Sequence, residues 1–459
     1  MSLVVAPLAV LWPAAIAAAL LGGHRRWVGW GAVGAIAVAC VLVLLLCLQV
    51  AGGDAVEEVA GDWPADVGIR LRADALGALF ALTSLVVIVA ALAQGVGSSP
   101  TEPMVPALVL FLALGLTGLF LTGDVFSFYV FFELAMISSY ALAASSGEQR
   151  AVGGALIFAV VNLLGSFLFL IAIAALYRVT GTLEMQAVAE GAIEVEPTTG
   201  ILIAVTFFVA FGVKLGLFPF HFWLPSVYAS VSPAIAAILA GAVANIGGYG
   251  LLRFGAGLLP RELELSATAL IVLGIVSIVY GGVQAVGRRD TREVLAYSSI
   301  GQAGYILVAL GLGGAVGLGA AVLFAVVNAL NKALVFVAAD LRGPLVGLAF
   351  IVGAFSVAGV PPSAGFFGKA ALFDAGVQAG SAAAVALMFA GGALTFVYLF
   401  LAYPRDRWED DGRRDTAPVA GRIVAAGLAL VVLGLGLWPE PLIALTDQAV
   451  IDLQELAPR

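Results

Sequence analysis

The chain has 459 residues, of which 62% are hydrophobic and only 11% charged, with a formal net charge of −8. An ordinary soluble protein carries about 25% charged residues, so this composition excludes a water-soluble globule and identifies a polytopic membrane protein. The acidic balance also disfavours nucleic acid as a partner.

Apolar runs predict fourteen membrane-spanning helices, near 3–22, 28–50, 72–94, 103–121, 124–144, 151–177, 200–224, 232–254, 263–286, 293–313, 314–340, 345–377, 382–403 and 419–438. The first run lacks a basic segment before it and is expected to stay rather than be cleaved. Cys40 and Cys47 share the second span; at about 1.5 Å rise per residue their Cα atoms lie roughly 10 Å apart, too far for a disulfide. The only histidines are His24 and His221, so no metal site and no cofactor is expected. Three spans are read as interrupted. The seventh carries Pro219 and Pro225, the twelfth Gly359, Pro361 and Pro362, and the eleventh Asn328 and Asn331 just before Lys332. Such breaks are tolerated at membrane depth only where protein or a water-filled cavity satisfies the freed backbone groups. Asp124 and Asp340 fall at span ends and read as interfacial or capping residues.

Arginine placement sets the orientation. Loops after odd-numbered spans carry Arg25, Arg26, Arg150, Arg288, Arg289, Arg292, Arg342, Arg405, Arg407, Arg413, Arg414 and Arg422. Loops after even-numbered spans, or the span ends beside them, carry Arg70, Arg72, Arg178, Arg253 and Arg261. The excess places the odd loops in the cytoplasm of a cell-membrane protein and both termini outside. Acidic clusters then face outward: Asp54, Glu57, Glu58, Asp62 and Asp66 in one loop, and Glu184, Glu190, Glu194 and Glu196 in another. After the last span, Leu442, Leu445, Ala449, Leu453 and Leu456 recur at helical spacing, which predicts a short amphipathic helix on the outer surface or on a partner.

Against this apolar background the charges inside spans stand out. All three lysines, Lys214, Lys332 and Lys369, lie within spans, joined by Glu133 in the fifth. Lipid strips an ionisable group of its charge unless an opposite charge or hydrogen bonds hold it, so such residues are rare unless they move charge. Glu133 and Lys214 have no counter-charge on their own spans and are expected to meet across helices. A pair about 4 Å apart at an effective dielectric near 20 interacts by roughly 4 kcal/mol, enough for making and breaking it to drive proton uptake and release. Lys332 and Lys369 extend the row, with Asn331, Ser356 and Ser363 nearby in sequence. Ser138, Ser139 and Tyr140 on span five and Ser298, Ser299, Gln302 and Tyr305 on span ten could hold water between titratable groups, although serines in membranes commonly serve packing. His221, between two prolines at the break in span seven, reads equally as a proton relay or as a cap for a free carbonyl. Asp374 either pairs with Lys369 or faces the outer surface. Spans five and ten share a Glu followed by Ser-Ser at one offset, and the interrupted spans seven and twelve keep the same five-span distance with reversed direction. Two inverted five-helix units account for both.

The strings TGDVFSFYVFFELAMISSYAL, FGVKLGLFPFHFWLPSVYA, VLAYSSIGQAGYI, NALNKALVF and AGVPPSAGFFGK carry a family resemblance. Over about residues 70–405 the chain resembles the antiporter-like membrane subunits shared by respiratory complex I, membrane-bound hydrogenases and Mrp-type multisubunit antiporters, and it is most similar to those of the Mrp-type Na⁺/H⁺ antiporters. The resemblance implies an all-α protein of about fourteen transmembrane helices in two inverted repeats with discontinuous helices. It divides the chain into a three-helix segment (1–102), two five-helix repeats (103–254 and 263–403), and a last transmembrane helix with the short amphipathic helix (404–459). Mapped residue by residue, Glu133, Lys214, Lys332 and Lys369 take the proton-relay positions. Asn245 stands where the family commonly has lysine, and Asn328 where it often has histidine; neither can titrate, so water must supply those links or they are left out. The link ADLRGPL after span eleven is shorter than usual.

These features predict a proton-translocating subunit of a multisubunit Na⁺/H⁺ antiporter, working with H⁺, a monovalent cation, other membrane subunits and the bilayer. The alternative is a proton-pumping subunit of a complex I or hydrogenase type, driven by redox chemistry in partners. A subunit that keeps the fold without conducting is a third reading, prompted by Asn245 and Asn328. An intramembrane enzyme is disfavoured, because the chain has no H-E-x-x-H and no paired intramembrane aspartates, and the run Glu409-Asp410-Asp411 reads as solvated surface.

Overall fold

The computed structural model describes residues 2–59, 68–98, 102–407 and 417–457, with the side chains of 403–407 set aside. Asp62, Asp66, Arg413, Arg414 and the run Glu409–Asp411 lie outside the described residues, as do the side chains of Arg405 and Arg407.

The chain is a predominantly helical, multi-pass membrane protein. Eleven helical stretches among the described residues are long and apolar enough to cross a bilayer, and three shorter apolar helices accompany them. The first helices are α1 (Ala6–Leu21) and α2 (Arg26–Val50). Trp27, Trp30, Leu44, Leu45 and Leu48 of α2 stay exposed, as a lipid-facing surface requires.

A strand pair then departs from the expectation of a third span beginning at 72. Strands β1 (Val56–Val59) and β2 (Arg70–Ala73) pair antiparallel, with Glu57 opposite Arg72. Leu71 and Ala73 point inward while Arg70 and Arg72 alternate outward, which is strand periodicity. Arg72 meets Glu57 at 3.1 Å, and Arg70 meets Glu184 at 3.0 Å. Helix α3 therefore starts later, at Ala75, and runs to Ser98.

Next come α4 (Val105–Phe120), α5 (Val125–Ala144) and α6 (Gln149–Thr180). Asp124 caps α5 by accepting from the Ser127 amide. A short helix the sequence did not announce, α7 (Met185–Ala192), is capped by Glu184. Helix α8 (Pro197–Leu215) ends at Gly216, whose φ of 71° few other residues adopt, and the chain resumes through a tight turn at Phe220–Phe222 into α9 (Trp223–Tyr228).

The eighth span, Pro233–Leu258, is helical but not uniform. Helix α10 (Pro233–Ile238) widens into a π turn at Leu239–Val243, narrows to α11 (Asn245–Gly250), and widens again over Leu251–Leu258. Such widenings are rare and frequently fall at functional sites. Helix α12 (Pro260–Leu265) precedes α13 (Ala267–Val286), α14 (Thr291–Leu312) and α15 (Gly314–Ala339). The expected break before Lys332 is absent: α15 runs unbroken through Asn328 and Asn331. Asn lowers helix propensity by less than about 1 kcal/mol, far short of the roughly 3 kcal/mol of proline. The twelfth span does break, into α16 (Pro344–Ala358) and α17 (Ala364–Gln378), at Gly359 with φ 84°. Helices α18 (Ala382–Arg407), α19 (Val419–Leu437) and α20 (Glu440–Leu456) complete the described chain.

Burial orders these elements. The eighth span and α15 are buried throughout their most apolar stretch, whereas α2, α18 and α19 bury only a third of theirs. The amphipathic α20 packs on this chain itself, against α3, α15 and the Leu251–Leu258 segment. Asp452 of α20 accepts from the amide of Ala75, the first residue of α3, at 2.7 Å.

Beneath it lies the most deeply buried ion pair among the described residues. Both Asp74 oxygens meet the Arg253 guanidinium at 2.7 Å, and each side chain is under 5% exposed. Arg253 also donates to the Tyr249 hydroxyl, which donates to the Phe120 carbonyl. Reading Arg253 as a span-end arginine is therefore corrected: it is a core residue tied to a carboxylate. Truncating either partner leaves an uncompensated buried charge, so Asp74→Ala or Arg253→Ala should cost about 3–5 kcal/mol. Thermal unfolding of the detergent-solubilised protein checks this, with both variants expected well below the parent.

Candidate functional site

Two helix breaks position two of the three buried lysines, Lys214 and Lys369. Lys214 occupies the last turn of α8, just before Gly216 ends that helix. Lys369 sits in α17, and its aliphatic stem lies against Gly359, where α16 ends. A helix end leaves carbonyls without intrahelical donors, and an ammonium with three N–H groups suits them. Lys369 does this directly, donating to the Ala358 carbonyl at 3.2 Å, and its Nζ lies 5.1 Å from the Tyr305 ring centroid.

Lys214 uses a neighbouring helix instead. Its Nζ donates to the Asn162 carbonyl at 2.7 Å and the Ser166 hydroxyl at 3.2 Å, both on α6, and lies 4.6 Å from the Phe132 ring centroid. The expected direct contact with Glu133 is not made: none of the ion pairs within 4 Å among the described residues includes them. Glu133 is half-buried one residue from Phe132, and its Oε1 is buried without a hydrogen-bond partner. The Tyr140 hydroxyl and Asn162 Oδ1 are likewise buried and unpartnered. Polar atoms of this kind in a protein core are normally bonded to protein or ordered water.

Lys332 is 5% exposed and has no hydrogen bond or ion pair among the described residues. Asn328 and Asn331 are buried on the same helix, and Asn331 Oδ1 is unpartnered. Asn245 lies between the two widened turns of the eighth span; its amide donates to the Gly241 carbonyl at 3.1 Å and to Ser84 Oγ on α3 at 3.3 Å.

The remaining expected residues divide. Ser298 shares a 2.7 Å hydrogen bond with the Tyr398 hydroxyl, and Gln302 reaches Thr395 and Tyr398 at 3.5 Å. Ser138, Ser139 and Ser299 instead donate to carbonyls of their own helices, the packing role. His221 stacks on Phe218 at 5.5 Å between centroids and lies tilted against Tyr280 at 4.4 Å, and its Nδ1 is buried without a partner, so it does not cap a carbonyl through that atom. Asp374 is exposed and accepts from Gln378; it does not pair with Lys369. It lines an open groove of about 580 Å³ between α15, α17 and α20, with Asp447 and Gln454.

Sequence reasoning missed Asn162, Ser166, Thr395 and Tyr398. A signal existed for the first two: they are the i, i+4 polar pair of an otherwise apolar span, as a lysine-facing stripe would be.

Comparison with known proteins bears on the family and the fold. The family described as NADH:quinone oxidoreductase/Mrp antiporter, TM, matches residues 122–395, which hold both broken helices and all three lysines. The Staphylococcus aureus protein named "Putative antiporter subunit mnhD2" is 28% identical over 98% of this chain and 95% of its own length. A chain of the Mrp complex from Dietzia sp. DQ12-45-1b superposes with a TM-score of 0.89 at 25% identity, covering 99% of this chain and 98% of that one. A chain of the membrane-bound sulfane sulfur reductase, an archaeal respiratory membrane complex, gives 0.91 at 27% identity, covering 99% and 98%. A chain of respiratory complex I from Thermus thermophilus gives 0.78 at 26% identity, covering 95% and 98%. A model of the family thus spans well over half of the sequence, across the residues that build the site: the chain belongs to the NADH:quinone oxidoreductase/Mrp antiporter membrane-subunit family.

Proposed function

We propose that this chain is the proton-translocating subunit of a multisubunit monovalent cation/H⁺ antiporter, with Na⁺ as the exchanged cation. Protons pass along Glu133, Lys214, Lys332 and Lys369. One observation carries the reading: three lysines are buried in a membrane protein, and none has a carboxylate within 4 Å among the described residues. Fixed structural charges would be expected in tight pairs, as Asp74 and Arg253 are. Lysines held by carbonyls, a hydroxyl and aromatic faces can instead lose and regain a proton without stranding a counter-ion. The unpartnered atoms of Glu133, Tyr140, Asn162 and Asn331 support a wet seam along this row. His221, Asn245, Ser298, Gln302 and Asn328 belong to its margins. Asp374 faces the groove outside it.

The two inverted units, 103–254 and 263–403, are supported by the matching breaks at Gly216 and Gly359, each beside a buried lysine. The cytoplasmic side is supported by the arginine excess in the loops after odd-numbered spans, Arg150 and Arg292 among them. Removing Arg253 from the opposite side strengthens the arginine excess. Both termini then face outward across the cell membrane, and the other subunits of the complex cover part of the exposed apolar flank. A redox-driven proton pump is the second reading, supported by the likeness to chains of the sulfane sulfur reductase and complex I.

Removing a proton-transfer group typically slows transfer by roughly 100-fold or more, so Lys214→Ala and Glu133→Ala should abolish measurable exchange in membrane vesicles containing the native complex. Full exchange by both variants, inserted at normal levels, would eliminate the relay. Asn245→Lys places a titratable group between the two widened turns and should displace the pH profile of exchange. An unchanged profile would put that position off the route.

A further inference from the structure

Helices α6 and α8 lie against each other beside Lys214. A Cβ on Gly165 would fall 3.4 Å from Val213 Cγ1 and 3.5 Å from the Ala210 carbonyl oxygen. That contact brings the next residue of α6, Ser166, and Asn162 one turn before it within reach of the lysine. Aromatic rings pin the same stretch of α6 at both ends. Phe158 stacks on Trp223 at 4.7 Å between centroids, and Phe169 meets Phe132 edge-on at 5.5 Å. Asn162 and Ser166 are at most 1% exposed, and Lys214 is 4% exposed.

Three hydrogen bonds close a triangle here. Lys214 Nζ donates to the Asn162 carbonyl at 2.7 Å and to Ser166 Oγ at 3.2 Å, and Ser166 Oγ donates to that same carbonyl at 3.1 Å. The serine has one hydrogen to give and gives it to Asn162, so toward the lysine its oxygen only accepts. Ser138, Ser139 and Ser299 also donate to the carbonyl one turn back. Ser166 makes that bond and receives an ammonium as well.

Counting N–H groups gives the triangle its meaning. An ammonium has three, and α6 takes two of them. The third is left for the side of the Phe132 ring, whose centroid lies 4.6 Å from Nζ and whose neighbour in the chain is Glu133. A neutral amine still has two N–H groups, so both bonds to α6 survive the loss of a proton. Glu133 is near enough to act on Lys214 through space, and its Oε1 is buried without a partner. An N–H freed from α6 would therefore find an acceptor there, and a lysine closed on a carboxylate becomes a fixed structural charge, as Arg253 is with Asp74.

We propose that Ser166 is a positioning residue for Lys214. Its hydroxyl, oriented by the Asn162 carbonyl, holds the lysine on α6 whether or not the third proton is present, and so keeps it from closing on Glu133. The role rests on the relay reading of Glu133 and Lys214 given above.

The test compares Ser166→Ala, Ser166→Thr and Lys214→Ala in vesicles holding the native complex, with the assembled complex quantified in each sample. Proton movement is followed with a pH-sensitive dye across a range of Na⁺ concentrations. Misplacing a reacting group by about 1 Å can cost roughly 100-fold, so Ser166→Ala should lower the maximal exchange rate by roughly tenfold or more at an unchanged half-saturating Na⁺ concentration. Threonine keeps the hydroxyl and its bond to the carbonyl one turn back, so Ser166→Thr should retain most of the parent rate. A cryo-electron microscopy structure of the Ser166→Ala complex should show Lys214 in direct ion-pair contact with Glu133. Parent rates in Ser166→Ala, a Ser166→Thr as slow as Ser166→Ala, or a Ser166→Ala structure in which the pair is still open would each overturn the role. Should Ser166→Ala fail to assemble, Ser166→Gly takes its place with the same expectations. Exchange that survives in Lys214→Ala removes the relay and this role with it, whereas an inactive Lys214→Ala beside a fully active Ser166→Ala removes only the role of Ser166.

Discussion

A helix interrupted inside a bilayer exposes carbonyls that lipid cannot satisfy, and everything around the site answers that constraint. At the end of α16 the Lys369 ammonium supplies the missing donor to Ala358. At the end of α8 the indole nitrogen of Trp223 donates to the Val213 carbonyl at 3.0 Å, which leaves Lys214 free to reach across to α6. The two breaks therefore differ in what fills them, although each falls at a glycine in the left-handed region. One lysine is part of the helix end. The other is released from it.

That difference explains why the carboxylate–lysine pair anticipated from sequence is open. Lys214 directs its donors to two oxygens of α6 instead, the Asn162 carbonyl and the Ser166 hydroxyl. Glu133 keeps a buried oxygen unpartnered instead of closing on the ammonium. An open pair is the arrangement in which either member can exchange a proton with water before meeting the other.

Prolines, glycines and isolated charges were legible in the sequence because each breaks a strong local rule of apolar helices. Pro219, Gly359 and the three lysines stood out for that reason. The failures have the same physical root. Asn328 and Asn331 looked like breakers, yet asparagine only weakens a helix, and α15 passes through them. Arg253 looked like a loop arginine because its partner, Asp74, lies 179 positions away. Strand β2 hides in four residues ahead of an apolar run. Tyr398 and Thr395 were invisible because a hydroxyl that bonds its own helix and one that bonds a neighbour read alike in a single sequence. The π turns around Asn245 depend on what packs against them, which no local pattern records.

The clasp between Asp452 and the Ala75 amide joins positions 377 apart. During synthesis α3 is made long before residue 452 exists, so its leading amide lacks this acceptor until α20 has been made. Settling of that rim is thus deferred until α20 can dock. A chain shortened before α20 would leave the first amide of α3 without the carboxylate that latches it.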